Sequence, residues 1–115
     1  MSSAVPEPSS QASKASQVSQ AWRRLLSRYL ESLALERGLA SNSVEAYGSD
    51  LRRLGEDLEK QKNDPLAADS QVLSAHIREL RRRGLSPRSI ARALASVRGF
   101  YQHLVETGER ADNPA

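Results

Sequence analysis

Apolar residues in the middle of the chain recur at alternating steps of three and four, the spacing that places side chains on one face of an α-helix. Gly48 and Gly55 interrupt this segment. Each weakens a helix by up to about 1 kcal/mol, so we expect a neighbouring element to pass close to both. No segment alternates with a period of two, so the sequence predicts an all-α fold. The apolar residues are Val44, Tyr47, Leu51, Leu54 and Leu58.

The first two helices are predicted from this stripe and from a similar one before it. The first helix is expected from about Val18 and is ended by Gly38, a residue that favours the left-handed turn after a helix. The second begins at Ser41 or Asn42, where Asn42 and Glu45 have the spacing of a capping box. The apolar stripe of the first helix is Trp22, Leu26, Tyr29 or Leu30, and Leu33.

The third helix is expected after the break at residues 63–65. It begins near Asp69 or Ser70 and ends in the basic run 81–83 followed by Gly84. The basic run suits the negative end of the helix dipole. The same run has a second interpretation, a patch that contacts phosphates. Its core residues are Leu73, Ile77 and Leu80.

The fourth helix has the strongest start signal. Ser86 is expected to cap it, with Pro87 at the first helical position, where a missing N–H costs nothing. The helix runs to about Thr107 and Gly108 follows it. The sequence therefore predicts a compact four-helix bundle over residues 21–115. Residues 1–20 are rich in Ser, Gln, Ala and Pro and are predicted to form a disordered tail.

Composition excludes several classes of site. The chain has no Cys and only two His, and no third ligand lies near either in sequence, so no metal site is expected. There is no glycine-rich phosphate loop and no carboxylate pair in an apolar setting, so we expect no cofactor and no catalytic residue. Glu56, Asp57 and Glu59 are interpreted as a solvated face. No apolar run is long enough to span a membrane, and we expect a soluble, cytoplasmic protein.

The fourth helix carries an unusual face opposite its apolar stripe. The face holds Arg88, Arg92, Ala95, Ser96 and Gly99. A solvated face is usually filled with Glu, Lys and Gln, whereas arginines beside very small residues suit close approach to a nucleic acid. The alternative is close packing of two helices within the domain. The apolar stripe is Ile90, Leu94, Val97, Tyr101 and Leu104.

The basic residues are biased towards arginine. Fourteen of the seventeen are Arg and three are Lys, with a net charge of only +3. Arginine presents a planar fork that matches phosphates and guanine edges. A genome rich in G and C explains the same bias equally well.

Two blocks of the sequence resemble the amino-terminal domain of Xer-type tyrosine recombinases. In the first, Glu36-Arg37-Gly38-Leu39 precedes a helix with the family pattern S/T-x-x-x-Y-x-x-D-L. The second block is the fourth helix, and the Asp-Asn-Pro at residues 112–114 resembles the end of the family's domain. The matching residues are Ser43, Tyr47, Asp50 and Leu51 in the first block, and Ser89, Ala91, Arg92, Leu94, Arg98, Phe100, Tyr101 and Leu104 in the second.

The resemblance implies a core-binding, SAM-like domain that grips double-stranded DNA with its second and fourth helices. A separate carboxy-terminal domain of such enzymes cleaves and rejoins the strands through a tyrosine, and four protomers assemble on DNA to resolve chromosome dimers or integrate mobile DNA. This chain would be the non-catalytic half, monomeric by itself. Tyr29, Tyr47 and Tyr101 lie on or beside apolar stripes, so none is expected to be the nucleophile.

The resemblance also supplies the predicted DNA-contacting residues. Arg92 is the best candidate for groove contact, and Arg92→Ala is expected to weaken DNA binding with little effect on the melting temperature. Arg98 has an alternative role in a salt bridge, for example to Asp50. The family's Ser is Ala95 here and a position often basic is Gly99, so Arg88, Ser89 and Arg92 should make most of the contact. The full predicted set is Ser43, Arg52, Arg88, Ser89, Arg92, Ser96 and Arg98.

Two other functions fit parts of the pattern. A protein-interaction bundle would dock a partner helix on the face of arginines and small residues. A stand-alone regulator of helix-turn-helix type would need a dimerisation element, and the sequence offers none.

Overall fold

The computed structural model describes the backbone of residues 6–115 and the side chains of residues 20–115. It contains four α-helices, α1 (Pro6–Leu35), α2 (Ser41–Lys60), α3 (Ser70–Arg82) and α4 (Pro87–Glu106), with a short 3-10 turn at Pro65–Ala67 between α2 and α3. No strand occurs among the described residues. The predicted all-α four-helix fold is confirmed.

The ends of α1, α3 and α4 agree with the sequence signals. Gly38, Gly84 and Gly108 follow α1, α3 and α4 with φ of +66°, +89° and +81°. The first helix begins at Pro6, ahead of the start predicted near Val18. The disordered tail was predicted for residues 1–20. Of these residues, only Gln20 has a described side chain, so the disorder stays a prediction.

The helix starts differ in how they are capped. The Asp69 carboxylate accepts a hydrogen bond from the Val72 N–H (2.9 Å), and the Ser86 hydroxyl accepts one from the Ser89 N–H (3.2 Å). Asp69 rather than Ser70 therefore caps α3, and Ser86 caps α4 as predicted. The capping box predicted at Asn42 is wrong. The residue before α2 is Ala40, with no side-chain cap, because the helix begins two residues earlier than that motif requires.

Helix α4 lies at the centre of the bundle and packs against all three other α-helices. The predicted stripes of α1 and α4 face the core, although Leu94 is only half-buried. Phe100, which is not on the predicted stripe, is fully buried and makes edge-on ring contacts with Trp22, Tyr29 and Tyr101 at centroid distances of 4.9, 5.7 and 5.4 Å. The buried face of α4 is therefore wider than the sequence predicts.

Small residues mark the places where helices approach most closely. A Cβ atom at Gly55 would overlap the Trp22 indole, and one at Gly48 would lie 3.0 Å from Leu30 Cδ1. The close neighbours predicted for these two glycines of α2 are thus confirmed, and both belong to α1. None of the described helices is long and apolar enough to cross a bilayer.

Candidate nucleic-acid interface

A buried carboxylate fixes the arginine that the sequence singled out. Arg92 on α4 donates two parallel hydrogen bonds to Asp50 on α2, from Nε to Oδ2 and from Nη2 to Oδ1, both of 2.9 Å. Asp50 is 2% exposed, whereas the Arg92 side chain is 41% exposed. The hydrogen bonds to Asp50 raise the pKa of Arg92. One edge of the guanidinium is therefore locked to the protein, and its other edge faces solvent.

Two of the small residues of the same helix, Ser96 and Gly99, serve packing, whereas Ala95 is exposed. Ser96 is fully buried, and its hydroxyl donates to the Ala93 carbonyl (2.9 Å) and lies 3.4 Å from Asp50 Oδ2. A Cβ atom at Gly99 would overlap the Tyr29 hydroxyl. The alternative of close helix packing therefore explains Ser96 and Gly99. We revise the predicted role of Ser96 from DNA contact to support of Asp50, because a side chain without exposed surface cannot reach a duplex.

The first turn of α4 keeps its polar residues at the surface. Arg88 is exposed and Ser89 is half-buried. Within the described part of the chain, the Arg88 guanidinium has no ion pair or hydrogen bond, while the Ser89 hydroxyl accepts a bond of 3.1 Å from Ser86. Arg88 and Arg92 are one turn apart, so their side chains lie about 40° apart around the helix axis. Together they present positive charge at the start of α4.

The predicted α2 residues lie on different sides of their helix. Ser43 is seven residues before Asp50, which places it about 20° away on the same side, and it is exposed. Arg52 is two residues after Asp50, about 200° around the axis. It borders a groove against α1 formed with Trp22 and Leu30. Ser43 therefore shares the side of α2 that carries Asp50, and Arg52 does not.

Arg98 is separated from the other arginines of α4. It lies about 120° around the helix from Arg92, beside α3, and borders a cleft with Ile77 and Leu94. The salt bridge to Asp50 suggested for Arg98 is wrong, because Arg92 occupies both oxygens of that carboxylate. Its DNA contact stays a prediction, at about 80° around the helix from Arg88 and 120° from Arg92.

A second buried carboxylate, which sequence reasoning missed, ties α3 to α2. Asp57 was expected on a solvated face but is buried. Its Oδ1 accepts a hydrogen bond from Arg83 Nη2 (3.3 Å), and its Oδ2 lies 3.2 Å from Arg83 Nη1 as an ion pair. Arg82 and Arg83 also pair with Glu79, at 2.6 and 3.0 Å, and the hydrogen bond from Arg82 is the main cause that lowers the pKa of Glu79 to about 2. The seven-residue spacing from Asp50 to Asp57, which puts both on one side of α2, was the available signal. Two of the three arginines of the basic run thus have partners within the domain, which favours the structural interpretation of that run.

His76 completes this cluster as a buried imidazole. Its Nδ1 lies 3.4 Å from Asp57 Oδ2, yet neither atom makes a hydrogen bond within the described residues. Burial lowers the pKa of His76, and the charges of Arg83 and Arg53 act in the same direction, while Asp57 opposes them. We therefore treat the 3.4 Å contact as a close approach and not as an ion pair. No group of three or more His, Cys, Asp or Glu side chains suited to a metal occurs in the described region.

The lowered pKa of His76 makes the free energy of unfolding depend on pH. Because its pKa is lower in the folded state than the ordinary value near 6.5, the unfolded state binds the proton more tightly, and the free energy of unfolding decreases as pH falls below about 6.5. Urea unfolding at a series of pH values above the carboxylate range measures this decrease. His76→Gln should remove it, whereas His103→Gln should leave it in place. An unchanged slope in His76→Gln would contradict the assignment.

Comparison with known proteins identifies the family. Residues 26–108 match the family model described as the phage integrase N-terminal SAM-like domain. The tyrosine recombinase XerD of Caulobacter vibrioides is 38% identical over 87 residues, covering 76% of this chain and 28% of the relative. XerD of Listeria monocytogenes is 34% identical over 92 residues (78% and 31%), and XerC of Xylella fastidiosa 36% over 93 residues (80% and 32%).

The chain spans less than a third of the length of these curated relatives. No solved structure is a significant match. The matched residues include all of α2, α3 and α4 and the buried end of α1. The chain belongs to the phage integrase N-terminal SAM-like domain family, and its curated relatives are named as tyrosine recombinases of the Xer type.

Proposed function

We propose that this chain is the DNA-binding domain of a site-specific tyrosine recombinase and that it grips duplex DNA with the start of α4 and the adjoining side of α2. The observation that carries the proposal is the Arg92–Asp50 pair. Asp50 holds the guanidinium by one edge while the other edge is exposed. An arginine held in one conformation loses less entropy on binding, and the free edge suits a phosphate or a guanine.

The surroundings of Arg92 support this role. Arg88 adds an exposed, unpaired charge one turn earlier, and Ser89 lies in the first turn of α4, where backbone N–H groups favour an anion. Ser43 adds a hydroxyl on the side of α2 that carries Asp50. Arg52 and Arg98 stay candidates for contacts at the edges of the duplex, since they lie on other sides of their helices.

Strand cleavage and rejoining are assigned to residues outside this chain. The relatives are more than twice as long as this chain and are named recombinases. Both core tyrosines, Tyr29 and Tyr101, are buried with raised pKa values, chiefly through burial. A buried phenol of high pKa is poorly suited to attack a phosphate. We propose that the domain works in an assembly of protomers on two DNA sites and contributes binding only.

The alternative function, docking of a partner helix on the α4 face of arginines and small residues, needs more exposed surface than that face has. It required Ser96 and Gly99 to be open to a second protein, and both are occupied by packing within the domain. The exposed residues that are left on that face are dominated by arginine, which favours the nucleic acid.

Arg88→Ala tests the proposal without disturbing the fold. We expect weaker binding to duplex DNA, a slope of log K against log salt that is smaller by about 1, and an unchanged melting temperature. Fluorescence anisotropy with a labelled duplex at several salt concentrations measures the affinity and its salt slope. Arg28→Ala, an exposed arginine on α1, is the matched control and should change neither quantity. Equal slopes in Arg88→Ala and the unmutated chain would overturn the assignment.

A further inference from the structure

The side chain of Tyr29 on α1 ends in a hydroxyl group that has no hydrogen-bond partner among the described residues. Tyr29 is 2% exposed, and its ring packs against Phe100 and His103 of α4. The hydroxyl is nevertheless not one of the fully buried polar atoms that lack a partner. The small exposed part of this side chain therefore includes the hydroxyl oxygen.

The hydroxyl reaches the surface beside Gly99. A Cβ atom at Gly99 would overlap the Tyr29 oxygen, so this oxygen lies where a side chain of residue 99 would begin. Gly99 comes seven residues after Arg92, which places it about 20° away on the same side of α4 and about 10 Å further along the helix. A hydroxyl from α1 is thus presented on the side of α4 that carries Arg88 and Arg92.

The surroundings of this hydroxyl favour an anion. Burial raises the pKa of the Tyr29 phenol, so the group stays protonated at neutral pH and can donate a hydrogen bond. The charge of Arg37, which follows α1, opposes that rise in pKa, so Arg37 lies close enough to act on the same group. Arg37 is exposed, and within the described part of the chain its guanidinium has no ion pair or hydrogen bond. A hydroxyl donor beside an unpaired cation suits a phosphate oxygen.

We propose that the Tyr29 hydroxyl, with Arg37 beside it, binds a phosphate of duplex DNA through the notch that Gly99 leaves in α4. The contact rests on the proposed function and extends the binding face along α4. Arg88 and Gly99 are about 16 Å apart along the helix. This exceeds the roughly 12 Å width of a major groove, so the two ends of the face contact phosphates on opposite sides of the groove. Only the tip of the Tyr29 side chain takes part, and the α1 backbone around Arg28 stays clear of the duplex.

Tyr29→Phe removes the hydroxyl and nothing else. We expect the Kd for a labelled duplex to rise about tenfold, the effect of losing a hydrogen bond to a charged group. The slope of log K against log salt should stay the same because no charge is lost, whereas Arg37→Ala should reduce that slope by about 1. Tyr101→Phe is the matched control. Its hydroxyl donates to the Pro65 carbonyl inside the domain, so the affinity for DNA should not change.

The position of the Tyr29 hydroxyl has a separate test without DNA. Gly99→Ala should lower the melting temperature, because the added Cβ overlaps the Tyr29 oxygen. In the Tyr29→Phe background the same change should not lower it, since the nearest remaining atom, Cζ of the ring, would lie 3.4 Å from that Cβ. An equal fall in both backgrounds, or no fall in either, would overturn the proposal.

Failure of this contact is distinguishable from failure of the proposed function. If Tyr29→Phe binds DNA as tightly as the unmutated chain while Arg88→Ala binds more weakly, the Tyr29 contact is wrong and the binding face stands. If the unmutated chain does not bind duplex DNA at low salt, both are wrong. Circular dichroism should show an unchanged melting temperature for Tyr29→Phe. A fall in melting temperature together with the affinity would show that the hydroxyl acts through the fold, which also overturns the proposal.

Discussion

Arg92→Ala should lower the free energy of unfolding by about 3 kcal/mol, because it leaves the Asp50 carboxylate buried without its cation. For a domain of this size that is a fall in melting temperature of more than about 10 °C. The sequence alone suggested a nearly unchanged melting temperature, since it treated Arg92 as a surface residue. Thermal unfolding followed by circular dichroism measures the change. DNA binding, measured where the variant stays folded, should also weaken.

Changing Asp50 as well separates the two roles of Arg92. In Arg92→Ala/Asp50→Asn the unpaired charge is gone, so much of the lost stability should return, and the double-mutant cycle should give a coupling of about 1–3 kcal/mol. DNA binding should not return, because the free edge of the guanidinium is still missing. Full recovery of binding in the double variant would mean that Arg92 acts only through the fold.

Phe100→Ala should be at least as damaging. Phe100 is fully buried and touches three other aromatic rings, so its loss combines a large cavity with the loss of edge-on ring contacts. The expected cost is about 4 kcal/mol, which leaves little of the stability of a small domain. Urea unfolding measures it. Gln102→Ala, an exposed change on the same helix, should stay within about 0.5 kcal/mol of the unmutated chain. A cost below about 1 kcal/mol for Phe100→Ala would show that α4 is not the central helix.

The helices were predictable because their signals are local. The glycines after α1, α3 and α4, the Ser86 cap and the three-and-four spacing of Leu51, Leu54 and Leu58 each depend on residues within a turn or two. They specify where a helix begins and which stripe it buries. The start of α2 at Ser41 is one of the two predicted residues, but Asn42 and Glu45 only have the spacing of a capping box, which the backbone does not use.

The site was harder to predict because its parts are distant in sequence. Asp50 and Arg92 are 42 residues apart, and only the packing of α2 on α4 brings them together. The packing of α2 on α4 also turns Ser96 inward, and the packing of α1 on α4 covers Gly99 and makes Phe100 a core residue. A stripe about 80° wide excluded all three. A central helix with three neighbours buries more of its circumference than one amphipathic stripe, and the sequence of that helix alone does not reveal how many neighbours it has.

The most direct test of the DNA-binding face is the footprint of a duplex on the backbone amides of this chain. Adding double-stranded DNA at low salt should shift and saturate the amide signals of Arg88, Ser89 and Arg92, with Ser43 in the same titration, and added salt should reverse the shifts. The amide signals of α1 around the exposed Arg28 should be unaffected. A footprint centred on α1, or no shift at any duplex concentration at low salt, would contradict the account.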